Sequence, residues 1–144
     1  MANWDVIIVG GGVSGCIAAL AAARMEAKTL LVEKYGFLGG TLTNSGVGPM
    51  MTFHAGKRQV IGGIPQELVE RLVKNQASTG HIEDTTGYAS SVTPFDSEQL
   101  KSTLDDMMKE SNVEVLFHAQ LVGTIKEANR IIGISGIYNR VHAG

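Results

Sequence analysis

The 144-residue chain has one cysteine, three prolines, few aromatic residues and almost no net charge. Its single cysteine, Cys16, excludes an internal disulfide framework and a cysteine-rich zinc site, and it is typical of a reducing compartment. The scarcity of proline, together with 44% hydrophobic residues, argues against a disordered or collagen-like chain. A net charge of −2 gives no electrostatic reason to expect nucleic acid or an anionic membrane as a partner.

An apolar stretch at residues 6–23 has the length of a signal peptide or a membrane span. It follows Asp5, lacks a positively charged leader region, and contains glycine at positions 10, 11, 12 and 15. We therefore expect a cytoplasmic protein that does not associate with a membrane.

Glycine is the abundant residue, and 12 of the 18 glycines fall between Gly10 and Gly63. Residues 5–9 form a short apolar, β-branched run that suits a strand buried on both faces of a parallel sheet. Residues 13–26 are rich in alanine and predict a helix, and residues 29–33 form a second apolar run that ends in an acid. Together they predict a strand–helix–strand unit with parallel strands.

The rest of the chain carries weaker signals. Residues 35–63 show no periodicity and residues 78–95 suggest a loop. Between and after them, Pro65 suits the start of an amphipathic helix, and Asp96 with Gln99 resembles a capping box before another. We treat residues 64–111 as a helical insertion. A third parallel strand is expected at 113–117, followed by two short strands at 121–125 and 130–138 around a turn.

The strongest motif is the run from Gly10 to Gly15, which satisfies G-x-G-x-x-G between a predicted strand and a predicted helix. In such a motif Gly10 permits the tight turn, Gly12 lets a pyrophosphate approach the backbone, and Gly15 lets the helix pack on the strands. The helix N-terminus supplies unpaired N–H groups and partial positive charge to the phosphates. A plain strand–helix turn would need the same glycines but no acid after the next strand.

That acid is present as Glu33, which follows Gly10 by 23 residues, close to the roughly 20 expected of a ribose-binding acid. Its carboxylate would accept hydrogen bonds from adenosine ribose hydroxyls and repel a 2′-phosphate, which disfavours NADP. A Walker-type phosphate loop is excluded, because Cys16 and Ile17 stand where Lys and Ser or Thr are required. A nicotinamide domain usually continues with another strand–helix–strand repeat, whereas this chain enters a Gly-Gly pair followed by hydroxyl residues, which points to FAD.

Residues 4–63, and especially the Leu-Gly-Gly-Thr at 38–41, resemble the N-terminal part of FAD-dependent oxidoreductases of the glutathione-reductase-like type, and the resemblance continues more weakly to about residue 138. Within these enzymes, the sequence resembles more specifically a bacterial and archaeal group. In that group an acidic residue is followed by an aromatic-glycine turn and then by Leu-Gly-Gly-Thr. The resemblance implies an α/β, Rossmann-like FAD/NAD(P)-binding fold with a parallel sheet and a small antiparallel strand meander. Such proteins are usually longer, so residues 1–144 are expected to be the N-terminal portion of an FAD-binding domain. An N-terminal portion implies an incomplete fold with an exposed apolar surface where the missing part would dock. We therefore expect the chain to self-associate or to associate with a missing C-terminal part.

No metal site is expected, because His81, His118 and His142 are scattered and lack metal-ligand spacing. The resemblance also implies which residues contact the cofactor. The contacts fall at the pyrophosphate turn, the ribose acid and its neighbour, a second flavin-side segment and one aliphatic strand position: Gly10, Gly12, Val13, Ser14, Gly15, Glu33, Lys34, Gly40, Thr41, Leu42 and Leu121. Leu121 fits an ordinary core strand equally well.

The function that follows is FAD-mediated electron or hydride transfer with an unknown substrate and unassigned catalytic residues. A non-catalytic nucleotide-binding module and an NAD-binding dehydrogenase domain are the alternatives. Cys16 fits a small packing residue better than a redox group, because it has no resolving partner. His54 fits a surface loop better than a flavin or substrate contact.

Overall fold

The computed structural model describes residues 3–138, which fold into helices packed on a small parallel sheet with an antiparallel hairpin on its other face. The elements are β1 (Val6–Val9), α1 (Val13–Arg24), β2 (Thr29–Val32), α2 (Thr41–Asn44), β3 (Met50–Met51), β4 (His54–Ala55), β5 (Arg58–Gln59), α3 (Ile64–Lys74), β6 (Ile82–Glu83), β7 (Ser91–Thr93), α4 (Ser97–Glu110), β8 (Glu114–Leu116), β9 (Ala119–Glu127) and β10 (Arg130–Tyr138). None of these helices has both the length and the apolar character that crossing a bilayer requires.

The central sheet has the strand order β1–β2–β8, and both pairings are parallel. The register places Val6 beside Thr29 and Leu30 beside Glu114. All four residues of β2 are buried, as expected of a strand covered on both faces. The predicted strand–helix–strand unit and third parallel strand are confirmed, and the α/β fold class with them.

Side chains of the sheet alternate between two hydrophobic clusters, because successive residues of a strand point to opposite faces. Leu31 packs into the larger cluster with Cys16 and Leu20 of α1. Its neighbours Leu30 and Val32 pack into a smaller cluster with Ala119 of β9. The helices therefore cover one face of the sheet and the hairpin covers the other.

Helices α3 and α4 belong to the helical layer of the larger cluster, to which Leu68, Leu72, Leu104 and Met107 contribute. Asp96 caps α4, as its spacing predicted: its carboxylate accepts hydrogen bonds from the amides of residues 98 and 99, both at 2.9 Å. The division of residues 64–111 into a separate insertion stays a prediction.

Two arginines form salt bridges that connect three helices at the protein surface. The Arg24 guanidinium lies 2.6 Å from Glu67, and Arg71 lies 2.9 Å from Glu67 and 2.7 Å from Glu110. These contacts join α1, α3 and α4, although partly exposed ion pairs each contribute at most about 1 kcal/mol.

The segment at residues 78–95 differs from the predicted loop at residues 82–83 and 91–93. It contains β6 and β7, which form a three-stranded antiparallel sheet with β3 in the order β3–β7–β6. Strands of two or three residues are too short to show an alternating pattern, so they could not be predicted from the sequence.

The predicted pair of strands near the end of the chain is present as the hairpin β9–β10. Its two-residue turn places Ala128 at a φ of 51°. Strand β9 begins at Ala119, two residues before the predicted start, because the Ala119 amide bonds to the carbonyl of Glu33 at 3.0 Å.

Candidate nucleotide site at the carboxyl ends of the parallel strands

The glycine-rich turn sits where β1 ends and α1 begins, at the carboxyl edge of the parallel sheet. The Gly10 amide donates to the carbonyl of Val32 at 2.8 Å, which anchors the turn to the neighbouring strand. Ligands of open α/β sheets bind at this edge.

The fold explains why two of the three motif positions are glycine, and it does not explain the third. Gly10 has a φ of +102°, a conformation that side chains rarely adopt. A Cβ on Gly15 would overlap the carbonyl oxygen of Gly10, so this glycine permits close packing of α1 on the turn. Gly12 has a φ of −66°, and a Cβ there would meet only the Cα of Gly40, at 3.9 Å. Neither its backbone nor its neighbours require glycine at position 12.

The first turn of α1 presents amides without helical partners. Gly12 is the N-cap, no side chain caps the helix, and its first turn contains no acidic residue. The first helical hydrogen bond joins the Cys16 amide to the carbonyl of Gly12 at 2.9 Å, so the amides of Val13, Ser14 and Gly15 precede it. A helix N-terminus of this kind attracts an anion such as a phosphate.

A second glycine pair packs directly against this turn. The Gly39 amide donates to the carbonyl of Gly11 at 2.8 Å, and a Cβ on Gly40 would lie 2.8 Å from the Cα of Gly12. Gly40 also has a φ of 57°. The structure therefore brings Gly40 to the motif by packing backbone on backbone, and its contact with a flavin stays a prediction.

The positions of the two residues after Gly40 give less support to a cofactor contact than the position of Gly40 does. Thr41 is exposed at the start of the four-residue helix α2. Leu42 is half-buried and packs against the larger hydrophobic cluster. Their predicted contact with a flavin stays a prediction.

Glu33 is buried, with 5% of its surface exposed, and its carboxylate holds the site together. Oε2 accepts a hydrogen bond from the Gly11 amide at 2.5 Å, and Oε1 accepts one from the Tyr35 amide at 2.8 Å. An ionised carboxylate has about four acceptor positions, so two remain for ribose hydroxyls. Neither bond could be predicted from the sequence.

A cavity of about 200 Å³ opens beside Glu33. Four of the residues that the resemblance assigned to the cofactor line it: Gly10, Glu33, Lys34 and Leu121. Its other walls come from β1, β2 and the start of β9: Val9, Val32, Ala119 and Gln120. The residues predicted to contact the cofactor thus fall in two places, the cavity beside Glu33 and the glycine turn with the amides of α1.

Lys34 and Leu121 both line this cavity. The Lys34 ammonium lies 4.8 Å from the centre of the Tyr35 ring, a cation–π contact at the surface. Leu121 is half-buried on β9, opposite Gly136 of β10.

Cys16 is fully buried immediately behind the turn. Its thiol donates to the carbonyl of Gly11 at 3.2 Å, and burial raises its pKa to about 12. A buried thiol of high pKa is a poor nucleophile, which supports the packing interpretation over a redox one.

The sequence matches the family described as "FAD dependent oxidoreductase" over residues 5–140. Dihydrolipoyl dehydrogenase from Trypanosoma brucei brucei is 52% identical over 46 residues, which cover 32% of this chain and 10% of that protein. The matched region is thus about a tenth of the relative's length.

Solved structures share the fold at low sequence identity. Thermovibrio ammonificans THI4 superposes with a TM-score of 0.61 at 17% identity, covering 94% of this chain and 48% of that one. Aquifex aeolicus GidA gives a TM-score of 0.59 at 22% identity, covering 93% and 22%. The Rossmann-type fold and the match along nearly the whole chain lead to one assignment: this chain belongs to the FAD dependent oxidoreductase family, and its cofactor is FAD.

Proposed function

We propose that the chain holds the diphosphate of FAD on the Gly10–Gly15 turn and the adenosine ribose on Glu33, as part of an enzyme that passes electrons or a hydride between flavin and a substrate. When bound, the flavin supplies the redox chemistry. The residues described here bind and orient the cofactor.

The observation that carries this proposal is the glycine at position 12. Gly10 and Gly15 are explained by the fold alone, whereas at Gly12 the chain has room for a Cβ and an ordinary φ. A ligand that approaches the backbone there explains the absence of a side chain. The unpaired amides of α1 begin at the next residue, so the approaching group would be an anion.

Glu33 selects the sugar on the other side of the turn. With one acceptor position on each oxygen used by the chain, the carboxylate still offers one on each to the two ribose hydroxyls. Its negative charge disfavours a 2′-phosphate, and the family match favours FAD over the nicotinamide alternative.

The test compares Gly12→Ala with Gly62→Ala in titrations of FAD and of ADP, which contains the adenosine and diphosphate alone. A Cβ at Gly62 would meet nothing within 4 Å, so this variant is the matched control. We expect Gly12→Ala to weaken both ligands at least roughly tenfold, the equivalent of 1.4 kcal/mol. Gly62→Ala should bind like the parent.

Both variants should keep the parent's circular dichroism spectrum, which separates lost binding from lost folding. Equal ADP affinity in the parent and Gly12→Ala would refute the assignment of the diphosphate to this turn. Binding of ADP without FAD would support the turn and count against the flavin-side contacts at Gly40, Thr41 and Leu42.

We also propose a cytoplasmic location and self-association. The single reduced cysteine supports the first. Large apolar side chains on the hairpin support the second, since Val122, Ile131 and Ile137 are each more than half exposed. A monomer in sedimentation velocity across the micromolar range would refute self-association of this chain.

A further inference from the structure

A second and larger cavity, of about 540 Å³, lies beside β4, β6 and the loop that leads into β7. None of its lining residues lines the cavity beside Glu33. Its volume falls within the range of small-molecule sites. We refer to it as the histidine cavity, because His54 and His81 both line it.

His54 is held by a hydrogen-bonded network that uses only one of its ring nitrogens. Its Nδ1 lies 2.9 Å from the hydroxyl of Ser91, and that hydroxyl lies 3.1 Å from the hydroxyl of Thr52. Ser91 is 4% exposed, so the network has a buried anchor. No hydrogen bond joins Nε2 of His54 to another residue in the described part of the chain, which leaves this nitrogen for a ligand.

His81 differs, because both of its nitrogens are engaged. Nδ1 lies 2.7 Å from the hydroxyl of Thr93, and Nε2 lies 2.8 Å from the side-chain oxygen of Gln66. Burial, and secondarily the nearby His54, lowers the pKa of His81. The two rings meet edge to face with centres 5.3 Å apart. His81 therefore has no ring nitrogen left for a ligand, and its ring packs edge to face against the ring of His54.

Asp84 lines the same cavity, but hydrogen bonds from its own loop already occupy its carboxylate oxygens. Its carboxylate accepts hydrogen bonds from the amides of Thr86, Tyr88 and Ala89 at 2.7–3.0 Å. These bonds lower the pKa of Asp84 to about 2, so it stays ionised and the loop stays closed around it.

Two charged side chains remain in the lining, Lys57 and Glu83. Both are exposed, and neither forms a salt bridge with another residue between positions 3 and 138. Besides the ionised Asp84, whose oxygens its own loop occupies, the histidine cavity thus offers a ligand one cation, one anion and one imidazole nitrogen.

We propose that the histidine cavity binds a small zwitterion of the α-amino acid class. Lys57 pairs with the carboxylate, Glu83 pairs with the ammonium group, and Nε2 of His54 takes a hydrogen bond from the ligand or gives one to it. A ligand with a single charge would leave either Lys57 or Glu83 without a partner, so complementarity with the two uncommitted side chains favours a molecule that carries both charges. This site does not depend on the proposed binding of FAD.

The test titrates the isotope-labelled 144-residue chain with L-alanine, acetate, methylammonium or glycerol and follows the His54 imidazole and the Ser91 amide by NMR. We expect L-alanine to saturate the shifts with a Kd roughly tenfold lower than those of acetate and methylammonium. Lys57→Gln should weaken L-alanine roughly tenfold, or about 1.4 kcal/mol. Arg58→Gln removes the adjacent exposed cation, which does not line the cavity, and should leave the affinity unchanged.

Each alternative outcome overturns part of the inference. If none of the four probes shifts His54, the cavity is not a ligand site of this kind. Equal affinity for acetate and L-alanine would identify an anion site and refute the zwitterion, and tighter binding of glycerol would identify a neutral polyol site. Equal losses in Lys57→Gln and Arg58→Gln would refute the pairing with Lys57. Gly12→Ala should bind L-alanine like the parent, so failure of either proposed site is distinguishable from failure of the other.

Discussion

Replacement of Glu33 by alanine should damage both the stability of the fold and the binding of a nucleotide. The carboxylate accepts hydrogen bonds from the Gly11 and Tyr35 amides. Gly11 is buried whereas Tyr35 is exposed, so water can replace the carboxylate at Tyr35 but not at Gly11. The stability cost therefore comes mainly from one buried donor left without a partner.

The expected magnitude follows from that single donor. A hydrogen bond to a charged group contributes about 1.5–3 kcal/mol, and an unsatisfied buried donor costs a similar amount. We expect Glu33→Ala to lower the free energy of unfolding by about 2 kcal/mol. With a urea m-value of about 2 kcal/mol/M, the unfolding midpoint should fall by about 1 M.

The assay is urea unfolding followed by circular dichroism, with Glu114→Ala as the control. Glu114 is exposed on β8, so its removal should change the free energy of unfolding by less than about 0.5 kcal/mol. An unchanged midpoint for Glu33→Ala would refute the structural role of the carboxylate. ADP titration below the unfolding transition measures the second role, for which we expect a loss of about 1.5–3 kcal/mol. Unchanged affinity there would remove Glu33 from the nucleotide site.

Three further results follow from particular contacts. Gly15→Ala places a Cβ against the carbonyl of Gly10 and should lower stability by about 1–3 kcal/mol in the same urea assay, whereas the open position Gly62→Ala should not. Cys16, fully buried and with a pKa of about 12, should resist iodoacetamide in the folded protein at pH 8 and react fully in urea; rapid native labelling would contradict its burial. In the folded protein the pKa of Asp84 is lowered from 3.8 to about 2, so its contribution to stability is present above pH 4 and is lost as the pH falls through 2. NMR shifts of its loop amides that titrate near pH 3.8 would contradict the lowered pKa.

The sequence alone predicted the elements whose signal is local. The β-branched run before Gly10 and the alanine-rich run after Gly15 specify a buried strand and a helix through short-range preferences. Asp96 marks the start of α4 because a cap bonds to amides only two and three residues away. The spacing from Gly10 to Glu33 was sufficient to predict that these two segments meet at the carboxyl edge of the sheet, as the bond from the Gly11 amide to Glu33 shows.

Tertiary structure alone decided the contacts between segments that carry no periodic signal. The packing of Gly40 on Gly12 and the bonds of Glu33 to backbone amides depend on how the chain returns across the sheet edge. The network of His54 and Ser91 joins residues 37 positions apart in strands too short to leave a pattern. Local preferences act within a few residues, whereas these contacts exist only after the hydrophobic clusters have brought distant segments together. For that reason the glycine-rich turn was predictable from the sequence and the histidine cavity was not.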